Sequence, residues 1–281
     1  MRRPNLGVLA GCIVAASLAA TAARAADLPA PAAAYPPAAY HPPIYDWSGI
    51  YIGGHFGGAW MNDTVTTTTT TALQPAGVAT KVSPMGVLGG AQAGFNIEFA
   101  PVVIGFEGTW TATDVSGTQQ TAAIPGGLLG LFQQSTDSTP WLATATGRIG
   151  YAANDLLFYV KGGGAWMRAD YTQSVTAAQL AACGNCPGGV VSQQTLTDTR
   201  TGFVVGGGFE YGLNENLSIR VEYDYLGFGT KTYTFGNLGY STVTAPPITV
   251  NGPFALGPFP VSVKSQMQMA TVGVNYRFTW H

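Results

Sequence analysis

The side chains best suited to redox or metal chemistry are Cys183 and Cys186, which are separated by Gly and Asn in the segment CGNC. Catalytic pairs with this spacing need a helix N-terminus within a βαβ unit, and this pair lies instead in a segment predicted to be a surface loop. A metal ion would need two further ligands, and none is visible nearby in the sequence. In an oxidising compartment we expect the pair to form a local disulfide that pins the loop.

Residues that could serve a hydrolase or a transferase are sparse. The three histidines, His41, His55 and His281, are scattered, and the chain has no phosphate-binding loop, no H-E-x-x-H motif and no G-x-S-x-G elbow. A single histidine without a placed partner is more often a packed polar residue than a catalytic one. The sequence therefore predicts that the protein is not an enzyme and has no catalytic residues, no metal site and no cofactor.

Charged residues occur instead at alternate positions of apolar segments, a pattern that suits ion pairing. In residues 217–228, LSIRVEYDYLGF, the charged Arg220, Glu222 and Asp224 alternate with apolar residues. Strict alternation predicts a β-strand with two unlike faces. The charged residues that share this pattern are Glu107, Arg148, Lys161, Glu210, Arg220, Glu222, Asp224 and Arg277.

Two architectures fit strands of this kind. In a soluble sandwich the charged face meets water, whereas in a transmembrane barrel the apolar face meets lipid and the charged face lines a closed interior. Only 9% of the 281 residues are charged and 38 are Gly, against about 25% charged residues in ordinary globular chains. The composition favours strands that face lipid, with the inward charges paired as a structural plug.

The spacing of the alternating segments supports a barrel. Long connections alternate with short ones near Ala100, residues 152–154 and residues 213–215, which is typical of outer-membrane barrels. We therefore predict an all-β fold, an eight-stranded antiparallel transmembrane up-and-down β-barrel with short periplasmic turns and long extracellular loops. The predicted strands are 48–60, 84–98, 101–112, 140–151, 155–168, 200–212, 216–228 and 264–280; the predicted long loops are 61–83, 113–139, 169–199 and 229–263.

All six tryptophans fall at or near predicted strand ends. Trp prefers the headgroup level of a membrane, where its ring is half buried and its polar edge stays wet. A soluble core would place some of them in the middle of strands. We therefore predict an interfacial aromatic girdle formed by Trp47, Trp60, Trp110, Trp141, Trp166 and Trp280.

The N-terminus indicates export. Arg2 and Arg3 precede an apolar stretch, and an A-x-A cleavage site follows at residues 23–25, so residues 1–25 are predicted to be a signal peptide. An alternative is a lipoprotein signal, LAGC, that would acylate Cys12. Residues 26–46, rich in Ala and Pro, are predicted to be a periplasmic linker, and residues 47–281 to form the barrel.

Three segments resemble the small outer-membrane surface proteins of alphaproteobacteria, a porin-family or opacity-like group related to the OmpA transmembrane domain. They are YDWSGIYIGGHFGGAW at the first strand, VEYDYLGFG in the seventh and VGVNYRF at the end. The resemblance implies an eight-stranded barrel in the outer membrane of a Gram-negative bacterium, inserted by the outer-membrane assembly machinery. It also implies a structural or surface-contact role. The chain departs from the family by ending in TWH after Phe278.

Three functions follow as hypotheses. The leading one is a non-enzymatic outer-membrane barrel that serves envelope integrity and surface contact, with its interior filled by a charged network. The alternatives are a small-solute diffusion porin and a surface ligand-binding protein, for example one that binds haemin. The expected partners are outer-membrane lipids or lipopolysaccharide and the assembly machinery, and no nucleic acid is expected.

Overall fold

The structure, a computed structural model, describes residues 45–69, 76–121, 131–177, 189–236, 238–240, 243–245, 248–250, 254–256 and 259–278. The chain divides into two compact units, Met1–Pro43 and Ile44–His281, and all the described residues belong to the second. In this part of the chain, no helix is long and apolar enough to cross a membrane.

Eight long strands and five short ones make up the described structure. The long strands are β1 (Gly49–Thr67), β3 (Met85–Phe99), β4 (Val102–Thr121), β5 (Leu131–Ala153), β6 (Leu156–Ala177), β7 (Gly189–Gly212), β8 (Leu217–Phe235) and β13 (Phe259–Phe278). The short strands are β2 (Ala79–Val82), β9 (Leu238–Tyr240), β10 (Val243–Ala245), β11 (Ile248–Val250) and β12 (Phe254–Leu256). The four from β9 to β12 form two small two-stranded sheets between β8 and β13.

The long strands close into a ring. Each pairs antiparallel with the next long strand along the chain, and β13 returns to pair with β1 from Ile50↔Phe278 to Thr67↔Val261. β2 continues the line of β3 beside β1, and the interruption at Pro84 is bridged because the Met61 N–H donates to the Pro84 carbonyl (2.8 Å). A closed ring leaves no unpaired sheet edge. The predicted eight-stranded antiparallel barrel is confirmed.

The two ends of the barrel differ in their connections. At one end, called the turn end, the links are Ala100–Pro101, Asn154–Asp155 and residues 213–216. Asn154 has φ of 56°, a left-handed conformation that Asn tolerates well in tight turns. At the opposite, loop end lie all the long connections, so the predicted asymmetry is confirmed.

The faces of the barrel wall are inverted relative to those of a soluble sheet. Outward positions near the turn end are exposed and apolar, as at Phe56 (68% exposed), whereas Arg220 points inward and is 1% exposed. On β1 this apolar belt runs from Ile50 to Trp60. Ten residues at about 3.3 Å each, tilted by about 40°, span about 25 Å, the height of the apolar band of outer-membrane barrels.

The predicted long loops are wrong in extent, because the strands continue well past the belt. β4 ends at Thr121 instead of 112, and β7 begins at Gly189 instead of 200. Residues 66–71, which fall in the predicted loop 61–83, are all threonine; Thr66 and Thr67 belong to β1, and Thr70 and Thr71 lie outside the described residues.

The alternation of apolar and polar residues reverses phase beyond the belt. Along β13 the outward side chains of Val272 and Val274 are apolar, whereas nearer the loop end the apolar residues are the inward, buried Val261 and Val263. Near the loop end the wall lies beyond the belt, so the apolar residues of the strand point into the barrel. A prediction that follows only the lipid-facing phase ends each strand too early.

Candidate functional site

The predicted inward charges meet in one buried ion-pair network at the level of the belt. Glu107 of β4 lies at its centre, 3.8 Å from Arg148 of β5, 3.9 Å from Lys161 of β6, and in direct contact with Arg220 of β8. Arg148 also lies 3.5 Å from Glu210 of β7. Strands that are not neighbours are thus joined across the interior.

A second group of contacts extends the network along β8. The Lys161 ammonium contacts Glu222 and lies 3.1 Å from Asp224. The Arg220 guanidinium lies 3.7 Å from Glu222. Seven of the eight predicted charges are therefore connected, and each is at most 4% exposed. Ions buried this deeply must be paired, because an isolated charge away from water is very costly.

Neutral side chains that sequence reasoning missed add hydrogen bonds to the network. The hydroxyls of Tyr51 and Tyr159 donate to Glu107 (2.8 Å) and Glu222 (2.7 Å). The Asn275 amide donates to Glu210 (2.8 Å), and the Arg148 Nε donates to Asn96 (2.9 Å). Tyr159 and Asn275 share the inward phase of Lys161 and Arg277 on their strands, and Tyr51 and Asn96 alternate with the exposed apolar residues of β1 and β3, so the phase was the available signal.

Glycines on the inward face leave room for these side chains. A Cβ at Gly206 would overlap the Asp224 carboxylate, and one at Gly94 would overlap the Tyr51 phenol. A narrow eight-stranded interior is only just wide enough for side chains to fill. The bulky ionic network therefore depends on positions without side chains opposite it.

Arg277, the eighth predicted charge, points inward and is buried but stands apart from the network. Among the described residues it forms no salt bridge. Its guanidinium stacks on the ring of Tyr45 at 3.9 Å and lies 5.8 Å from the ring of Trp47, and it donates to the Glu215 carbonyl (3.0 Å). The prediction that Arg277 shares the ion pairs is corrected, because the residues before β1 fold under the turn end and cover it with aromatic rings.

Trp47 is likewise not a girdle residue. It is 1% exposed, its indole N–H donates to the Asn154 carbonyl (3.2 Å), and its backbone N–H donates to Glu98 (2.8 Å). These two bonds hold the ring beneath the turn end, inside the barrel mouth, where it cannot reach the outer face.

The other described tryptophans face outward at the loop-end limit of the belt. Trp110 is 56% exposed, Trp60 and Trp166 are each 38% exposed, and Trp141 pairs with the outward Ala112. Trp280, Cys183 and Cys186 lie outside the described residues. The girdle therefore stays a prediction at Trp280, and the disulfide between Cys183 and Cys186 stays a prediction as a whole.

Two apolar clusters bracket the charged network. At the turn end, Trp47 packs with Tyr45, Val103, Leu157 and Tyr159. Toward the loop end, a larger cluster covers the other side of the network; its largest fully buried members include Leu142, Met167, Leu226, Met267 and Phe235. The ions are thus enclosed by packed side chains above and below.

Beyond the belt lies a second buried polar group that sequence reasoning missed, because Asp63 and Asp137 fell within predicted loops. Arg200 donates to the Tyr171 hydroxyl (2.9 Å), the Ser265 hydroxyl (2.6 Å) and three backbone carbonyls. Burial raises the pKa of Asp63 to about 6. Burial and the neighbouring Asp63 carboxylate raise the pKa of Asp137 to about 8.

His55, the one histidine among the described residues, is fully engaged. Its two ring nitrogens hydrogen-bond Gln92 (2.6 Å) and Thr111 (3.0 Å). Within the described ranges, no group of three or more His, Cys, Asp or Glu residues is placed to hold a metal ion.

Comparison with known proteins agrees with this architecture. The chain matches the family described as outer membrane protein beta-barrel domain over residues 12–246. It is 29% identical over 224 residues to the 31 kDa outer-membrane immunogenic protein of Brucella melitensis, covering 77% of this chain and 85% of that protein, and the Brucella suis protein of the same name matches equally.

Among solved structures, OprG of Pseudomonas aeruginosa aligns with a TM-score of 0.44 and 12% identity over 83% of this chain and 99% of that one. Neisserial surface protein A aligns with a TM-score of 0.33 and 13% identity, covering 82% of this chain and 98% of that one.

Proposed function

This chain belongs to the outer membrane protein β-barrel domain family and lies in the outer membrane of a Gram-negative bacterium, and from that premise we propose that it is a non-enzymatic, non-conducting structural barrel. Its filled interior stabilises the wall within the envelope. Its loop end faces the outside and makes surface contacts. The periplasmic side is then the turn end, as in barrels with short periplasmic turns.

The observation that carries the proposal is the enclosure of the ion-pair network. Seven charged side chains, three basic and four acidic and each at most 4% exposed, form ion pairs between the Trp47 cluster and the Met167 cluster. A diffusion pore needs a water-filled channel lined by solvated groups. Paired ions between two apolar layers favour a plug over such a channel.

Planar-bilayer recording of the refolded full-length protein tests the proposal. The unaltered protein is expected to show no stable open conductance. A variant that empties the centre of the network, Glu107→Ala with Arg220→Ala, is expected to admit ions if it folds. Lys231→Ala, which alters a cation at the exposed rim paired with Asp198 (2.6 Å), is the matched control and should stay silent.

Stable conductance steps in the unaltered protein would overturn the proposal, and would favour the porin alternative if Lys161→Ala or Arg220→Ala changed their size. Folding of every variant is checked by gel mobility, because folded barrels migrate faster before boiling than after it.

The surface role is supported by the name of the Brucella relative, which describes an immunogenic outer-membrane protein. Exposure of the loop end is tested with single cysteines at Thr118 and Asn214, both exposed in the structure, in a chain with Cys183 and Cys186 replaced by serine. A membrane-impermeant thiol reagent applied to intact cells should label position 118 and leave position 214 unlabelled. The opposite pattern would reverse the assigned orientation.

A further inference from the structure

Beyond the belt, the strand ladder of the wall is interrupted between β2 and β4. Among the described residues, β2 pairs with β1 only, and the Gly117–Thr121 part of β4 pairs with β5 only. The two segments are neighbours in space, yet within the same part of the chain no backbone hydrogen bond crosses between them. We call this interruption the β2–β4 seam.

Two acids face each other on the inner side of the β2–β4 seam. Asp63 of β1 pairs with Val82 of β2, and Asp137 of β5 pairs with Gly117 of β4. Residues directly opposite in a ladder share one face of the sheet, and both acids are buried, so all four residues point into the barrel. Val82 is short and Gly117 has no side chain, so the two carboxyl groups come close enough to repel each other.

The charges of the two acids are not compensated by neighbouring side chains. Asp63 and Asp137 are 1% and 2% exposed, and among the described residues neither forms a salt bridge. Asp63 Oδ1 and both oxygens of Asp137 also have no hydrogen-bond partner there. The Arg200 guanidinium donates instead to Tyr171, to Ser265 and to backbone carbonyls. Every acid of the belt network, by contrast, contacts a lysine or an arginine.

The unpartnered carboxylate oxygens indicate the kind of ligand. Buried charges must be paired or must coordinate a metal ion, and Ser135 and Thr139, which flank Asp137 on the inward side of β5, add buried hydroxyl oxygens. Oxygen donors suit hard cations. Ca²⁺ accepts about six to eight oxygens in flexible geometry, whereas Mg²⁺ keeps several of its waters. A site shielded from water therefore favours Ca²⁺.

We propose that Asp63 and Asp137 bind a Ca²⁺ ion behind the β2–β4 seam. The ion neutralises both carboxylates and replaces the proton that the pair otherwise shares. It ties β1 and β2 to β4 and β5 where, among the described residues, no backbone hydrogen bond crosses the seam. The loop end faces the outside, so the ion comes from the medium, and the seam gives it an entry that breaks no strand pairing.

The inference goes beyond the proposed structural role, and its test with purified protein is independent of conductance. The full-length protein is refolded in detergent and freed of metal with a chelator. Thermal unfolding is followed by gel mobility with added Ca²⁺, Mg²⁺ or K⁺ at one ionic strength. Binding is followed separately with Tb³⁺, a Ca²⁺ substitute whose emission is excited through nearby aromatic rings. Tyr171 is such a ring, because it pairs directly with Asp137.

Ca²⁺ should raise the unfolding midpoint by about 5–10 °C at a concentration about a hundredfold above its dissociation constant. Mg²⁺ should raise the midpoint less, and K⁺ should leave it unchanged. Bound Tb³⁺ should emit and be displaced by Ca²⁺, and Tyr171→Phe should weaken the emission but keep the Ca²⁺ effect on unfolding.

The double variant Asp63→Asn with Asp137→Asn should lose both the Ca²⁺ effect and the Tb³⁺ emission. Asp198→Asn, which removes an acid paired with Lys231 near the loop end, is the matched control and should keep both. The folding of each variant is checked by gel mobility before metal is added.

Tb³⁺ emission that persists in the double variant would place the ion at exposed acids and overturn the proposal. A midpoint of the unaltered protein that Ca²⁺ leaves unchanged, or that K⁺ raises equally, would overturn it whether or not the variants fold. An equal rise with Mg²⁺ would overturn the assignment of Ca²⁺.

Discussion

The carboxyl groups of Asp63 of β1 and Asp137 of β5 lie close enough inside the barrel to repel each other, although β3 and β4 stand between their strands in the ring. They are 1% and 2% exposed. Within the described residues, Asp63 Oδ1 and both oxygens of Asp137 have no hydrogen-bond partner. Two carboxylates in contact away from water cannot both ionise cheaply, so the pair holds a proton at neutral pH.

This pair predicts that stability falls as pH rises. The folded pKa values of about 6 for Asp63 and about 8 for Asp137 lie above the ordinary carboxyl value. The folded state therefore binds more protons than the unfolded chain between about pH 4 and pH 8, and stability decreases with pH across that window. Thermal unfolding in detergent should show this slope, and Asp137→Asn, which keeps a hydrogen-bond donor toward Asp63 without a charge, should flatten it.

The charged and titratable groups that face the pair from the packed strands are Tyr171, Arg200 and Tyr233. Burial raises the pKa of Tyr171 and of Tyr233, so both stay neutral in this window. Asp198 is a control, because its bonds to Lys231 and Tyr233 lower its pKa, and its contribution is lost only as pH falls. Asp198→Asn should leave the slope unchanged, and an unaltered slope in Asp137→Asn would refute the shared proton.

The central position of Glu107 predicts how the ion-pair network responds to substitution. Arg220→Gln leaves Glu107 and Glu222 with one cation fewer, and breaking a buried pair in this way costs about 3–5 kcal/mol. The double variant Glu107→Gln with Arg220→Gln removes one charge of each sign and should recover most of that loss. Urea unfolding followed by gel mobility measures both.

A variant in which the charges of Glu107 and Arg220 are exchanged is compared with the double glutamine variant. Glu107→Arg with Arg220→Glu restores the attraction between the two positions but places a new guanidinium beside Arg148 and Lys161, which lie 3.8 Å and 3.9 Å from the original carboxylate. This variant should fold less well than the double glutamine variant. The reverse order would mean that Glu107 and Arg220 act as an isolated pair.

The belt and the inward charges at its level could be predicted from the sequence because the residues of each strand that face lipid must be apolar. Arg220, Glu222 and Asp224 alternate with residues that must be apolar, so their inward direction follows from neighbours in the chain. The sequence does not tell which charged residues contact one another, because the tilt of the strands decides those contacts. Glu107 contacts Arg220 across 113 residues of sequence, whereas β4 and β8 are not neighbours in the ring.

The residues beyond the belt could not be identified in the same way. Asp63 and Asp137 lie where the outward face is no longer within the belt, so Thr, Ser and Gln replace the apolar partners that mark a membrane strand. The inward direction of the Trp47 ring does not follow from the sequence for a related reason: Trp47 lies near a strand end, as predicted, but its ring is held by bonds to Asn154 and Glu98, far away in sequence.

Close packing opposite glycine predicts a sharp difference between the two faces of the wall. Gly94 points inward, and an added methyl group would overlap the Tyr51 phenol and the Phe106 carbonyl. Gly94→Ala should destabilise the barrel by about 1–3 kcal/mol, the usual cost of overpacking. Gly58 lies on the other face, where a Cβ would come no closer than 3.9 Å to the Gly86 carbonyl. Gly58→Ala should be close to neutral in the same urea titration, and equal effects would contradict the assigned faces.

Trp47 closes the turn end, and its removal should cost far more than removal of a girdle tryptophan. Trp47→Ala would empty the cluster with Tyr45, Val103 and Leu157 and free the Asn154 carbonyl, so a loss of about 3–5 kcal/mol is expected from the cavity. It would also uncover Arg277, which stacks against the same rings. Hydrogen exchange should therefore rise at the Asn154 turn and at the end of β13 while the loop end stays protected. Trp166→Ala, which removes an outward ring of the same size, should leave hydrogen exchange at the turn end unchanged. The same exchange pattern in both variants would contradict the inward position of Trp47 and favour a place in the girdle.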